Sequence, residues 1–347
     1  MVTIKSIAEK LGLSSATVSR VLRNDETFSI SAETRTRIIM TAEEMGYKAP
    51  SSARKSRNSH APLYTIIHQK PTFRSEIDSS YYFLIRTGIE DFCREHECRC
   101  TFLSIEDSIV FNEKPSGIII VGNFTPEHYE TILSAAPHIP IVTIGSIIYH
   151  PERIDFVSYS SIASARLGVK YLLENGHRDI GFLGIIEYPG MELFGSRKQE
   201  FIRIMKENSI YRPEWIRECQ LGKNRVEQGY LAMKNWIAEE SPLPTAIFCS
   251  NDPVALGIFR AVTEAGLSIP EDISLVSHDG SFVTEHLTPA ITTVDVHPYQ
   301  LGREGAALLT ERLKTGRTIT KQLYLIPELI RKGSVRKAGP SVLKDTF

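Results

Sequence analysis

From Leu63 onward, six short apolar runs (residues 63–67, 118–121, 139–144, 180–183, 246–249 and 273–276) are separated by stretches of helical periodicity. Strands buried on both faces read as unbroken apolar runs, so this alternation selects an α/β fold with parallel sheets assembled from βαβ units. Open sheets of this kind bind ligands beyond the carboxyl ends of their strands. The candidate ligand positions are therefore those that follow the runs: His68-Gln69, Gly122-Asn123, Gly145-Ser146, Gly184, Ser250-Asn251-Asp252 and His278-Asp279. Almost all are polar or glycine, which a core that merely tiled a sheet would not require.

The first 48 residues follow another pattern. Ile4, Ile7, Ala8 and Leu11 fall on one face of a helix that Gly12 is placed to stop. Leu13-Ser14 reads as a tight turn, and Ser14 or Ser15 can cap a second helix running to Arg23 with Ala16, Val18, Val21 and Leu22 as its packing face. A third helix is expected over residues 32–45, capped by Ser31 and stopped by Gly46. Two helices joined by a short glycine-containing turn, the second rich in Ser, Thr and Arg, form the arrangement that lays a recognition helix in the DNA major groove. Charge supports this. The chain as a whole carries −1, but residues 1–60 hold ten Lys/Arg against six Asp/Glu, a balance of +4, and the rest holds thirty against thirty-five, a balance of −5. A basic module of this kind meets the phosphate backbone. Residues 49–62 are polar, basic and bracketed by prolines, the composition of a linker.

Other function classes fall away. The N-terminus lacks the apolar core of a signal peptide and no run of about eighteen apolar residues follows, so a cytoplasmic protein with no membrane partner is expected. Five cysteines do not suggest a disulfide framework. Cys93, His96, Cys98 and Cys100 crowd together, yet they straddle a helix-to-strand boundary without the paired spacing of zinc sites, so no metal is expected. Nucleophile-elbow, phosphate-loop, zinc-protease and dinucleotide motifs are missing, which argues against an enzyme and against a bound cofactor. Asp252, His278, Asp279 and Ser281 have the residue types of a catalytic group, but neighbours such as His278 and Asp279 normally point apart.

Residues 3–8, Leu13 through Leu22, Ser31-Ala32-Glu33-Thr34-Arg35 and Met45-Gly46-Tyr47 resemble the headpiece of the LacI/GalR transcriptional regulators. The likeness continues through residues 172–184, 197–201, Ser250-Asn251-Asp252, Ala255-Leu256-Gly257, 269–279 and 287–293. Within the family, residues 51–55, Tyr81-Tyr82 and 85–90 are most similar to the evolved β-galactosidase repressor subgroup. The resemblance implies a helix-turn-helix domain (1–48), a hinge (49–61), a periplasmic-binding-protein-like core of two Rossmann-like lobes (62–335) and a tail (336–347). One lobe would be about 62–157 plus 294–322, the other about 158–293 plus 323–335, with a small effector between them.

By the same resemblance, Asn251 and Asp279 would bind sugar hydroxyls and Arg197 would reach across the cleft, a donor and acceptor set that suits a polyol. The candidate effector set is His68, Tyr81, Tyr82, Gly145, Arg197, Asn224, Asn251 and Asp279, with the two tyrosines offering an apolar face to a pyranose ring. The candidate DNA set is Thr3, Ser14, Ser15, Ala16, Thr17, Ser19, Arg20, Arg23, Ser31, Arg54, Lys55 and Ser56. Ser15 and Ala16 would face base edges, and Ser19 and Arg20 phosphates or bases. Gly145 stands where galactoside-responsive relatives often carry an aspartate. Ser160-Ser161 replaces the family's usual aspartate followed by Asn or Tyr. Ser56 occupies the position of the hinge leucine that wedges the minor groove, leaving Arg54, Lys55 and Arg57 to hold it by charge. The implied protein is a homodimeric repressor of a carbohydrate operon, bound to double-stranded operator DNA and released by a sugar effector, with a galactoside-like one favoured. A tail containing Gly339-Pro340 and no heptad repeat would not build a tetramer. A sugar-binding transport or sensor protein without DNA function, and a repressor activated by a co-repressor, remain as alternatives.

Overall fold

The structure is a computed structural model that describes residues 3–22, 30, 34, 37–38, 41–42, 45, 61–69, 80–107, 109–122, 124–145, 148–185, 196–219, 224–239 and 241–338. The chain divides into two compact units, Met1–His60 and Ala61–Phe347.

In the first unit, Thr3 starts α1 (Ile4–Leu11) with a reciprocal cap. Its Oγ1 accepts from Ser6 N at 3.1 Å, and Ser6 Oγ accepts from Thr3 N at 3.0 Å. Gly12, at φ +65°, closes the helix as expected, and the Leu13 N–H returns to Ala8 O at 3.0 Å. Of the two candidate caps for α2 (Ser15–Leu22), Ser14 serves, its Oγ accepting from Thr17 N at 3.0 Å. Ile7, Ala8, Val18 and Val21 close on Ile38 and Ala42, which lie on the described part of the third helix. Ala16 was expected to pack but is exposed, because it lies about 200° around the helix from buried Val18. The cap at Ser31 and the stop at Gly46 lie outside the described residues, as do Arg23, Arg54, Lys55 and Ser56.

The second unit runs β1 (Leu63–His68), α3 (Ser80–Glu95), β2 (Arg99–Ser104), β3 (Gly117–Val121), α4 (Pro126–Ala135), β4 (Ile141–Ile144), β5 (Asp155–Tyr159), α5 (Ser161–Glu174), β6 (Ile180–Ile185), α6 (Arg197–Glu207), β7 (Ile216–Cys219), α7 (Arg225–Ala238), β8 (Ala246–Cys249), α8 (Asp252–Glu264), β9 (Ser274–Asp279), β10 (Thr292–Asp295), α9 (Pro298–Thr315), β11 (Gln322–Leu325) and β12 (Glu328–Ile330). Two six-stranded sheets result, ordered β11-β5-β4-β3-β1-β2 and β12-β10-β9-β8-β6-β7. Every pairing is parallel except β10 with β12. Each sheet is covered on both faces. Ile66, Ile119 and Val142 pack on one side of the first and Ile67, Ile118 and Ile120 on the other, as strict alternation along a strand requires. Both lobes use the same close helix contact. A Cβ on Gly88 of α3 would lie 2.0 Å from Tyr299 O of α9, and one on Gly257 of α8 would lie 2.1 Å from Val226 O of α7.

The six apolar runs are β1, β3, β4, β6, β8 and β9, six of the eight interior strands, whereas the interior β5 and β10 and the edge strands β2, β7, β11 and β12 give no such run. The chain changes sheets after β5, β10 and β11. These junctions lie two to three residues beyond the expected ones, because ladder pairing continues to Tyr159 opposite Leu325 and to Asp295 opposite Asp279. Ser160, at the first junction, caps α5 by accepting from Ala163 N at 3.1 Å. Packing also continues past residue 335, with Arg336 N bonded to Ser274 Oγ at 3.1 Å and Ala338 N to Asn175 O at 2.8 Å. Among the described residues no helix is long and apolar enough to cross a membrane.

Candidate functional site

The carboxyl ends of the two sheets face each other, and the side chains that meet there come from both lobes. Tyr159 ends β5. Its hydroxyl accepts from Arg197 Nη1, at the start of α6, at 2.8 Å, and its ring lies 5.3 Å from that of His278 on β9. Ser196 fixes the origin of α6 by accepting from Gln199 N at 3.1 Å, which places Arg197 at the helix mouth. Tyr81 and Tyr82, in the first turn of α3, stand edge to face at 5.2 Å. Tyr82 lies beside Gly122, whose φ of +116° favours glycine, and a Cβ there would meet the tyrosine ring at an ordinary contact distance of 3.5 Å. Beside them Ser80 Oγ meets Ser281 Oγ at 2.9 Å, a buried hydrogen bond from one lobe to the other.

Charge couples these groups. Burial pushes the Tyr81 phenol well above its ordinary pKa, with Tyr159 and Asp279 adding to the effect and Arg197 opposing it. Burial also raises Tyr159, again against the pull of Arg197. His278 is pushed down to about 4, first by burial and then by the Arg197 charge, while Asp279 works the other way. The imidazole is therefore neutral at physiological pH. Its Nδ1 lies 2.9 Å from Asp279 Oδ1. The expectation that these neighbours point apart is corrected here. Asp279 adopts φ +119°, outside the extended range of a regular strand, and turns its carboxylate back to the ring. Such a conformation costs a non-glycine residue about 1–3 kcal/mol and persists only where its surroundings enforce it.

Asp252 provides part of that enforcement. It is fully buried, and its carboxylate accepts from Ser281 N at 2.6 Å, from Thr293 Oγ1 at 2.8 Å and from Ser277 Oγ. Burial, reinforced by Asp279, holds its pKa well above the usual carboxylate range despite these donors.

Of the eight expected effector residues, Tyr81, Tyr82, Arg197 and Asp279 come together with Tyr159 and His278. The others have different contacts. His68 Nδ1 is 2.7 Å from Gln69 O and its ring stands edge-on to Phe102. Gly145 O accepts from Ser158 Oγ at 2.6 Å. Asn224 and Asn251 cap α7 and α8, their Oδ1 atoms accepting from Glu227 N and Val254 N at 3.0 Å. Each cap commits the amide oxygen to a helix, and Nδ2 can only donate. Tyr159 was missed because β5 was missed. Had residues 155–159 been read as a strand, the same rule that flagged His68 would have flagged its end.

In the first unit Ser15, Ala16 and Arg20 are exposed on α2, and Ser19 shares their face, opposite the buried Val18 and Val21. Thr3, Ser14 and Thr17 are committed to caps, with Ser14 Oγ also 2.9 Å from Thr17 Oγ1. Away from both sites, Cys93 and Cys100 are free thiols, and His96 stacks on Phe92 at 3.9 Å.

Residues 3–50 match the lacI family of bacterial regulatory proteins, and residues 169–335 match the periplasmic binding protein-like domain. The HTH-type transcriptional repressor MelR of Bacillus subtilis (strain 168) is 31% identical over 344 residues, 96% of this chain and 97% of the relative. The HTH-type transcriptional regulator GanR of the same organism is 32% identical over 340 residues, 96% of this chain and 100% of the relative. Among solved structures, the transcriptional regulator CelR-cellobiose complex shares the fold at a TM-score of 0.68 and 21% identity, over 96% of this chain and 100% of that one.

Proposed function

The chain belongs to the lacI family of bacterial regulatory proteins, and from that membership we propose that it is a cytoplasmic transcriptional repressor, not an enzyme, released from its operator by a sugar. The observation that carries the effector half is the meeting of Arg197 and Asp279 from one lobe with Tyr81, Tyr82 and Tyr159 from the other. Guanidinium donors, a carboxylate acceptor and flanking aromatic rings suit a neutral polyol with an apolar ring face. The cellobiose held by CelR supports a carbohydrate as the class. Within that class we favour a galactoside-like effector.

On the DNA side, Ser15, Ala16, Ser19 and Arg20 would read the major groove, with Arg23 and the linker cations Arg54 and Lys55 on phosphates. Two copies would bind a two-fold operator as a homodimer. Effector closure of the lobes would then lower operator affinity by linkage.

The test joins gel shift on the upstream region of neighbouring genes to a thermal-shift screen of D-galactose, methyl β-D-galactoside, cellobiose and ribose. A sugar at 100 times its dissociation constant adds about 2.7 kcal/mol of stability. Asn251→Ala and Asp279→Ala are each expected to abolish release by that sugar while leaving operator binding intact. Unchanged release in both would overturn the site assignment, and operator binding tightened by the ligand would make it a co-repressor.

A further inference from the structure

Two histidines of the second unit are fully buried, and they differ in one respect. His177 has both ring nitrogens engaged, Nδ1 with Thr245 Oγ1 at 3.0 Å and Nε2 with Arg336 O at 3.1 Å, as a histidine that only supports the fold should. His278 has one. Its Nδ1 faces Asp279 Oδ1 at 2.9 Å, and its Nε2 is buried with no hydrogen-bond partner among the described residues. A carboxylate only accepts, so Nδ1 carries the proton and Nε2 presents a lone pair. The groups that act on this ring are Tyr159, Arg197 and Asp279, all members of the cleft between the lobes. The ring is held neutral there, so the lone pair is available at physiological pH.

We infer that His278 Nε2 is a specificity-determining acceptor in the cleft, taking a hydrogen bond from one hydroxyl of the effector beside the hydroxyl held by Asp279. The inference rests on the reading of the cleft as a sugar site and narrows it. Arg197 supplies donors to ring or glycosidic oxygens, while Asp279 and His278 demand donors in return. The ligand is therefore an uncharged polyol with at least two free hydroxyls at that end. A deoxy carbon, an ether or a phosphate placed against Nε2 leaves the buried lone pair unmatched and is rejected.

The test uses the full chain and isothermal titration with whichever of D-galactose, methyl β-D-galactoside, cellobiose and ribose binds best, followed by its mono-deoxy derivatives one position at a time. On the wild type, one deoxy position distinct from that reported by Asp279→Ala is expected to cost tenfold or more. On His278→Leu the same derivative and its parent are expected to bind within about twofold of each other. His278→Gln, whose amide oxygen reaches toward the place of Nε2, should restore the discrimination. A purely structural role would weaken every derivative by one common factor. That uniform loss, with Asp279→Ala still selective for its own hydroxyl, would overturn the assignment of His278 while leaving the sugar reading intact. Binding of none of the four sugars, or preference for a sugar phosphate over the free sugar, would overturn both.

Discussion

Asp252 is where stability and site geometry are most closely joined. Its carboxylate ties the start of α8 to Ser277 on β9, Thr293 on β10 and the backbone of Ser281, two residues past the strained Asp279. In Asp252→Ala the two hydroxyls can rotate toward other acceptors, but the buried Ser281 N–H is fixed by the backbone. Stranding that donor costs about 1–3 kcal/mol, and weakening the two hydroxyl bonds adds about 0.5–1 kcal/mol each, for a total of about 2–5 kcal/mol. At roughly 2–3 °C per kcal/mol for a unit of this size, the melting midpoint should fall by about 4–15 °C at pH 7 in scanning calorimetry. The Ser80–Ser281 bond should loosen with it, so sugar affinity falls as well. Asp252→Asn separates charge from shape. An acid whose folded pKa is raised is most stabilising below its unfolded value near 4 and loses that contribution as pH climbs toward the folded value. The stability difference between the Asn variant and wild type should therefore shift in favour of Asn as pH rises from about 4 to neutrality. A melting point within 2 °C of wild type for Asp252→Ala, or an Asn difference that moves the other way, would refute this account of the network.

Tyr159→Phe removes the acceptor of a charge-assisted bond from Arg197 across the lobes. At about 1.5–3 kcal/mol for such a bond, effector affinity by titration should drop about 10- to 150-fold, and equal affinity would place the bond outside the binding reaction. Gly257→Ala would set a methyl group 2.1 Å from Val226 O and 2.4 Å from Tyr230 N. Because both are backbone atoms, α7 and α8 must part at a cost above about 4 kcal/mol, and a variant melting within 2 °C of wild type would contradict that packing.

How far the sequence discloses this molecule depends on what each residue must satisfy. Interior strands are apolar on both faces and stand out, whereas β2 and β7 are half covered and β5 interleaves Asp155 and Ser158 with its apolar residues. Losing β5 also hid Tyr159, the bridge to Arg197. The first unit was easier to read because its signals are local: Thr3, Gly12 and Ser14 act within four residues of their own positions. The cleft is assembled from positions as far apart as Ser80 and Ser281, and no spacing in the chain announces that pair. Asn224 and Asn251 were chosen for hydrogen bonding to a ligand, but helix capping selects the same residue type at the same strand-to-helix turn. Only the folded structure separates the two demands, and here it shows the capping bonds.

That division of labour bears on how such a cleft transmits binding. Capping bonds made by Asn224 and Asn251 stay within one lobe and exist whether the lobes are apart or together. The Tyr159–Arg197 and Ser80–Ser281 bonds, and the contact of Tyr159 with His278, exist only when the lobes meet. A ligand shifts an equilibrium between two arrangements by no more than its difference in affinity for them. If the proposed cleft binds its ligand through them, groups of the first kind would contribute mainly to affinity and groups of the second kind to coupling. Burying His278 Nε2 as the lobes meet disfavours closure until a ligand hydroxyl engages it, whereas the strain at Asp279 is held within one lobe and is common to both arrangements. Resistance to closure and selectivity for a ligand hydroxyl thus meet at one atom, His278 Nε2.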